Sequence, residues 1–355
     1  MRKLVIDRAA IKNNLTVIKD RAAGAAIYGV LTGDGQGVGA AALAQLLRDE
    51  GIGRFAVSEV SEAEALRQAG FVDEEILMLR ATTDREELER LVDLNVVCTV
   101  SSVDTGMALN ALAGNRSTVA EAHIQVDTGM GFGGFLVSEP EKLLLAYRSM
   151  PNVALSGVYT QLHAARPNDP QAKRQLEQFQ QALDAIHQAG FETGVVHAAG
   201  SFALLHGLAP ELDGVRAGSA ILGRCRRTRD DGLKTVGFGQ APLTEVRWLP
   251  KGHVLGVDRP VTLKKPTRVA VLPVGYQNGF GVTRPRETGL LAAIARGRKN
   301  NRRTVRLGSQ RSRVLGGLGA SELILDVTDV KCSVGDLATF EIDPLFARGF
   351  QVEFR

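Results

Sequence analysis

Residues 25–39 read AAIYGVLTGDGQGVG. The stretch begins as an apolar strand, Ala25–Thr32, and ends in a loop in which Gly29, Gly33, Gly35, Gly37 and Gly39 follow one another closely. A helical apolar pattern follows at once, from Ala40 to Arg48. Strand, tight loop and helix form a βα unit, and such loops carry function on a rigid scaffold. The grammar recurs on both sides. Lys3–Asp7 reads as a short strand and Arg8–Ala22 as a helix with Ile11, Leu15 and Ile18 on one face. Downstream, strands are expected at Arg54–Ser58, Glu75–Leu79, Val96–Val100, Val119–Val126, Val153–Thr160, Val195–Ala198 and Gly214–Arg216. Helical patterns alternate with them at Val60–Ala69, Asp84–Leu94, Val103–Ala113, Glu139–Ser149, Ala172–Ala189 and Ser201–His206. Gly70 supplies a C-terminal stop and Asp84 an N-terminal cap.

About eight strand–helix units over the first 232 residues predict an α/β fold with a parallel sheet. Their number favours a closed TIM-like (β/α)8 barrel over an open doubly wound sheet. Chemistry in such a barrel sits where strands end and loops begin. The polar residues there are Thr32, Asp34, Ser58, Glu59, Asp127, His163, His197, Ser201 and Arg216.

The pattern changes after Gly237. Leu243–Leu249, Arg268–Leu272 and Leu323–Val327 alternate with period two, separated by glycines, prolines and aspartate turns. A smaller all-β domain is therefore expected over 233–355, after a barrel domain over 1–232. A helical pattern at Thr288–Arg296 leads into a basic run. From Arg296 to Arg313 there are eight Lys or Arg and no acid. A solvated hairpin or loop explains the run; recruitment of an acidic partner or phosphorylated ligand is the alternative. It lacks the interleaved aromatics of a single-strand nucleic-acid platform, so nucleic acid is not an expected partner.

Composition bounds the rest. Hydrophobic content of 44% and charged content of 23% are those of a folded globular chain. A net charge of +4 points to neither nucleic acid nor membrane. No apolar run reaches transmembrane length, and MRKLVIDRAA turns polar too early for a signal peptide, so a cytoplasmic location is expected. Cys98, Cys225 and Cys332 are widely spaced and read as reduced thiols. The histidines and cysteines show no metal-ligand spacing.

Motifs along the whole chain carry a resemblance. VIDRAAIKNNL, FAVSEVSEAEALRQAG, VDTGMGFGG, GVYTQLHAA, VVHAAGSFA, GVRAGSAILG, LPVGYQNGFGV and VLGGLGASELILDVTDVKCSVGD occur in this order. Together they resemble the alanine racemase family, whose barrel and β-domain use pyridoxal phosphate (PLP). The resemblance implies that Tyr276 matches a catalytic tyrosine contributed by a partner subunit, and that His163 and Arg216 stand behind it. It implies that His197 matches a second site histidine, and that Ser201, Gly218 and Ser219 match phosphate-cradle positions. It also implies a head-to-tail homodimer.

Other family positions differ. Thr32 stands where the family has its Schiff-base lysine, and a hydroxyl forms no imine. Gln36 stands for a tyrosine that reaches the phosphate, Gln125 for a lysine and Phe132 for an arginine. Ala320 and Ser321 stand for a methionine–aspartate pair. Lys12 and Lys19 lie on the first helix pattern, and the next lysine is Lys142.

Two functional readings stay open, with a third behind them. One is an enzyme doing PLP-independent acid–base chemistry on a small amino-acid-like substrate, with Tyr276, His163, Arg216, Thr32 and Asp34 as its polar groups. The second is an inactive protein that holds PLP non-covalently, or another phosphorylated ligand, through Ser201, Gly218, Ser219, His197 and Gln36. The third is an amino-acid racemase using another lysine.

Overall fold

A computed structural model describes residues 1–163, 169–208, 211–225, 231–256, 260–283 and 303–355. The chain divides into two compact units. One comprises Ala9–Thr235; the other comprises Met1–Arg8 with Val236–Arg355.

The chain opens with β1 (Lys3–Ile6) and α1 (Arg8–Ala22). Then follow β2 (Ala26–Val30), α2 (Thr32–Gly37), α3 (Ala40–Asp49), β3 (Arg54–Val57), α4 (Val60–Gln68), β4 (Glu75–Met78) and α5 (Arg85–Asp93). Next come β5 (Cys98–Val100), α6 (Val103–Asn115), β6 (Ala120–Asp127), β7 (Phe135–Leu136), α7 (Pro140–Ser149), β8 (Val153–Tyr159) and α8 (Pro170–Gln188). The unit ends with β9 (Val195–Gly200), α9 (Ser201–Leu205) and β10 (Gly214–Ala217).

The strands run in the order β4-β3-β2-β10-β9-β8-β6-β5, all parallel. The ring closes between β4 and β5 through a parallel bridge from Leu77 to Val97. There Val97 N donates to Ile76 O at 2.8 Å and Met78 N to Val97 O at 2.9 Å. This is the expected (β/α)8 barrel. Closure leaves no sheet edge exposed, which is why eight units suffice. Outside the ring, α3 buries Leu43, Ala44 and Leu47 at helical spacing. Asp84 accepts the Glu87 N–H at 2.9 Å, the cap expected from the sequence.

The second unit is a sheet in the order β12-β15-β18-β17-β16-β19-β11-β1-β20. Its later strands are β11 (Phe238–Pro242), β12 (Glu245–Leu249), β13 (Val254–Leu255), β14 (Val261–Thr262), β15 (Thr267–Leu272), β16 (Thr304–Leu307), β17 (Gln310–Leu315), β18 (Leu323–Asp326), β19 (Leu337–Glu341) and β20 (Gln351–Phe354). Strands β13 and β14 pair with each other as a separate ribbon.

One strand counted with the barrel belongs here instead. β1 pairs antiparallel with β11 and parallel with β20. Leu4, Val5 and Ile6 are buried in this sheet, and Lys3 reaches Glu353 on β20 at 2.8 Å. A four-residue apolar strand looks the same in either sheet; its partners lie at the other end of the chain.

The helical pattern at Thr288–Arg296 lies outside the described residues, as does the basic run up to Arg302. The remainder, Arg303–Arg313, forms the β16–β17 hairpin, with Arg306, Arg311 and Arg313 exposed.

Candidate functional site

The loop after β2 is a left-handed turn. Gly33, Asp34, Gly35 and Gln36 have φ of 68°, 52°, 63° and 58°. Only glycine takes this conformation freely; the two non-glycine residues cost on the order of 1 kcal/mol each. At Gly35 no other residue fits, because a Cβ would lie 2.9 Å from Ala40 N. Local bonds hold the turn. Gln36 Nε2 donates to Thr32 O and Thr32 Oγ1, both at 3.0 Å. Asp34 Oδ1 accepts the Ala40 N–H at 2.8 Å. Glu62 on α4 does most: Oε1 accepts Gly33 N (2.6 Å) and Asp34 N (3.2 Å), while Oε2 accepts Ser58 N (2.9 Å) and Glu59 N (3.2 Å). One carboxylate thus ties together the loops after β2 and β3.

Inside the ring a buried polar column rises toward these loops. Arg216 on β10 donates from Nη1 to His197 Nδ1 at 2.6 Å and to His197 O at 3.2 Å. From Nη2 it donates to Thr160 O (2.7 Å), Gln161 Oε1 (2.9 Å) and Ala198 O (3.3 Å). A guanidinium is always a donor, so His197 Nδ1 accepts. His197 Nε2 then carries the proton and donates to His123 Nδ1 at 3.0 Å. Tyr28 and Tyr159 stack on either side of His197, each with ring centroids 5.0 Å away. Burial, then the Arg216 charge, then His123, push His197 well below the usual imidazole range. Burial, then Arg216 and Arg54, push His123 down to about 4. Burial lowers Arg216 itself to about 10.

The loop after β8 is clamped from helix α8. Gln175, 2% exposed, accepts at Oε1 from His163 N (3.1 Å) and lies 2.6 Å from His163 Nδ1. Its Nε2 donates to Gln161 O (3.1 Å) and Thr128 Oγ1 (3.3 Å). Thr128 Oγ1 and Thr160 Oγ1 bond at 2.8 Å. Asp127 folds the loop after β6, its Oδ1 accepting Gly129 N at 2.8 Å and Met130 N at 3.0 Å. That loop holds Phe132 79% exposed. Ser201 Oγ, where α9 begins, accepts Gly218 N (2.9 Å) and Ala220 N (3.2 Å), leaving its own proton to donate.

The structure therefore joins Arg216 with His197, Ser201 with Gly218, and Thr32 with Gln36. His163 bonds to Gln175, and no bond links it to Arg216 among the described residues. Asp34 caps a helix, Gln36 turns back onto Thr32, and Ser219 is half-buried with its carbonyl on Arg224 N at 2.8 Å. In the second unit Tyr276 opens a short 3-10 turn, 49% exposed, with its N–H on Gly319 O at 3.1 Å.

Among the residues that the sequence reading did not single out are Glu62, His123 and Gln175. Each left a trace. Glu62 sits at the N3 position of a capping box. His123 alternates with Gln125 and Asp127 on β6. Gln175 interrupts the apolar stripe Ala172, Phe179, Ala182, Ile186 of α8.

Family comparison matches this architecture. The family model for the alanine racemase N-terminal domain covers residues 6–225, and that for the alanine racemase C-terminal domain covers 239–343. The chain belongs to the alanine racemase family. An alanine racemase of Desulfovibrio desulfuricans is 30% identical over 341 residues, covering 93% of this chain and 86% of its own. The alanine racemase of Clostridium difficile 630 has the same fold, with a TM-score of 0.86 at 21% identity over 100% of this chain and 95% of its own. That of Bartonella henselae, solved with covalently bound pyridoxal phosphate, has a TM-score of 0.84 at 20% identity over 100% and 99% of the two chains.

The barrel unit of this alanine racemase family chain holds five lysines, Lys12, Lys19, Lys142, Lys173 and Lys234. Lys12 and Lys19 pair with Glu50 at 3.1 and 3.2 Å, and Lys142 with Glu139 at 2.9 Å. Lys173 is on α8, and Lys234 follows β10 with its N–H on Asn14 Oδ1 at 2.7 Å. Among the described residues no three His, Cys, Asp or Glu side chains are grouped to hold a metal ion, and no helix is long and apolar enough to cross a membrane.

Proposed function

We propose that this alanine racemase family chain carries out acid–base chemistry on a small amino-acid-like substrate without a covalently bound PLP. The observation that carries the reading is the composition of the loop after β2. Its first residue is Thr32, whose hydroxyl is bonded to Gln36, while Lys12, Lys19 and Lys142 are taken up in ion pairs with Glu50 and Glu139. An imine needs an amine, so these residues do not fit a lysine-linked cofactor. No step is routed through one.

What the chain's own groups can do follows from their protonation. Arg216 presents a fixed positive charge held by neutral acceptors. The Ser201 hydroxyl, which accepts from Gly218 N and Ala220 N and keeps its own proton to donate, suits an anionic group on the substrate. Tyr276, half exposed, is the acid–base group, supplied in this reading by a second copy of the chain. Without an electron sink, the substrate must bring its own activation, such as a second electron-withdrawing group on the α-carbon.

The test is α-proton exchange in deuterium oxide, followed by NMR, on amino acids with such a doubly activated α-carbon. Exchange without added PLP, lost in Tyr276→Phe, is expected. Exchange of free alanine that requires added PLP would instead establish a racemase. Binding with no exchange of any substrate would establish a ligand-binding protein.

A further inference from the structure

We infer that Gln175 is a positioning residue: from α8 it fixes the His163 proton on Nδ1 and leaves Nε2 as a proton acceptor. This deepens the acid–base reading above and rests on it for its catalytic meaning, but the geometry stands by itself.

Two backbone groups of fixed polarity face the Gln175 amide. His163 N–H is a donor, and it points at Gln175 Oε1 from 3.1 Å. The Gln161 carbonyl is an acceptor, and Gln175 Nε2 lies 3.1 Å from it. These two contacts fix the amide. Turned over, it would set NH2 against N–H and oxygen against oxygen in a site where Gln175 is 2% exposed. With Oε1 so placed, His163 Nδ1 at 2.6 Å must donate to it. In the neutral ring the lone pair is then on Nε2. Asp169 Oδ2 lies 3.6 Å from that atom, so a proton arriving there meets a carboxylate. Asp169 is held in turn by capping α8, its Oδ1 accepting Gln171 N at 3.0 Å. A glutamine is suited to this task because a single planar group accepts from the histidine and donates to Thr128 and Gln161.

The full chain labelled with 15N-histidine decides it through long-range 1H–15N correlations of the imidazoles, with His163 assigned by its disappearance in His163→Asn. In the wild type with the ring neutral, His163 is expected to show a protonated Nδ1 and a bare Nε2, by about tenfold over the other tautomer. Gln175→Met should erase that preference. Gln175→Glu, which still accepts at the same place, should keep it. A merely structural glutamine would lower the melting temperature in both variants and leave the tautomer unmoved. A wild-type His163 protonated on Nε2 overturns the inference, as does a Gln175→Met spectrum unchanged from wild type. If Gln175→Met does not fold, the wild-type and Gln175→Glu spectra decide alone. None of these readouts requires turnover, so failure here is distinct from failure of the exchange test.

Discussion

Gln36 Nε2 stands 3.0 Å from both the carbonyl oxygen and Oγ1 of Thr32, so the left-handed turn closes on its own first residue. Thr32 is thereby presented at the barrel mouth, where the resemblance sets the cofactor lysine. Treatment with PLP and then borohydride is expected to leave no pyridoxyl-lysine on any barrel peptide of the wild type. Thr32→Lys should acquire one at residue 32. Peptide mass spectrometry reads both, and a labelled barrel lysine in the wild type would sink the idea.

Glu62 is the clip of the site. Its carboxylate accepts four backbone N–H groups from two loops. Charge-assisted bonds of this kind contribute roughly 1.5–3 kcal/mol, and an orphaned donor adds to the loss. Glu62→Ala is therefore expected to destabilise by about 2–3 kcal/mol in urea unfolding. Glu62→Gln, which keeps acceptance at one oxygen, should lose about half of that. Equal midpoints for wild type and Glu62→Ala would show that the turn stands without its clip.

The buried histidines make stability depend on pH. His123 falls from an ordinary 6.5 to about 4, and His197 shifts in the same direction. Around His123 the facing groups are His197, Arg216, Tyr28 and Arg54, none of them an anion at neutral pH. The unfolded chain therefore binds more protons as the pH drops below 6.5. This stability is fully present above about 6.5 and is lost toward about 4, by on the order of 3 kcal/mol for His123 alone. The lowered carboxylates, such as Glu87 at about 2, titrate in a lower range. Melting curves between pH 6.5 and 4.5 should show falling midpoints. His123→Gln, which can still accept from His197, should flatten the slope; an unchanged slope would remove His123 as its source.

Tyr276 is half exposed, and its hydroxyl contributes no bond to its own sheet among the described residues. Tyr276→Phe should leave the melting temperature within the range of a surface change. Under the proposed chemistry it should lower turnover by about 100-fold or more. Isothermal titration with a substrate found by the exchange test should show binding nearly unchanged. Full turnover in Tyr276→Phe would move the acid–base role to another residue.

Much of this architecture is legible in the sequence. The βα alternation survives in the ring because each unit is local: a buried strand, a turn and an amphipathic helix write their own periodicity. The cap at Asp84 was legible for the same reason. The failures are all non-local. β1 reads as the first strand of the barrel, yet its hydrogen-bond partners are Phe238–Gln240 and Gln351–Phe354. The resemblance places His163 and Arg216 together behind Tyr276; in the structure the buried amide of Gln175 takes the histidine and His197 takes the arginine.

The sequence by itself determined the parallel barrel, the β-rich second half and the residue type at position 32, since each depends on local pattern or plain chemistry. That residue 32 carries a hydroxyl needs no structure to recognise. Only the tertiary structure decided which polar atoms meet. It placed Glu62 beneath two loops, lined His123, His197 and Arg216 into one chain, and turned Gln175 toward His163. Those pairings are set by strand register and ring closure, which bring together side chains distant in sequence and remove the water that would otherwise satisfy them.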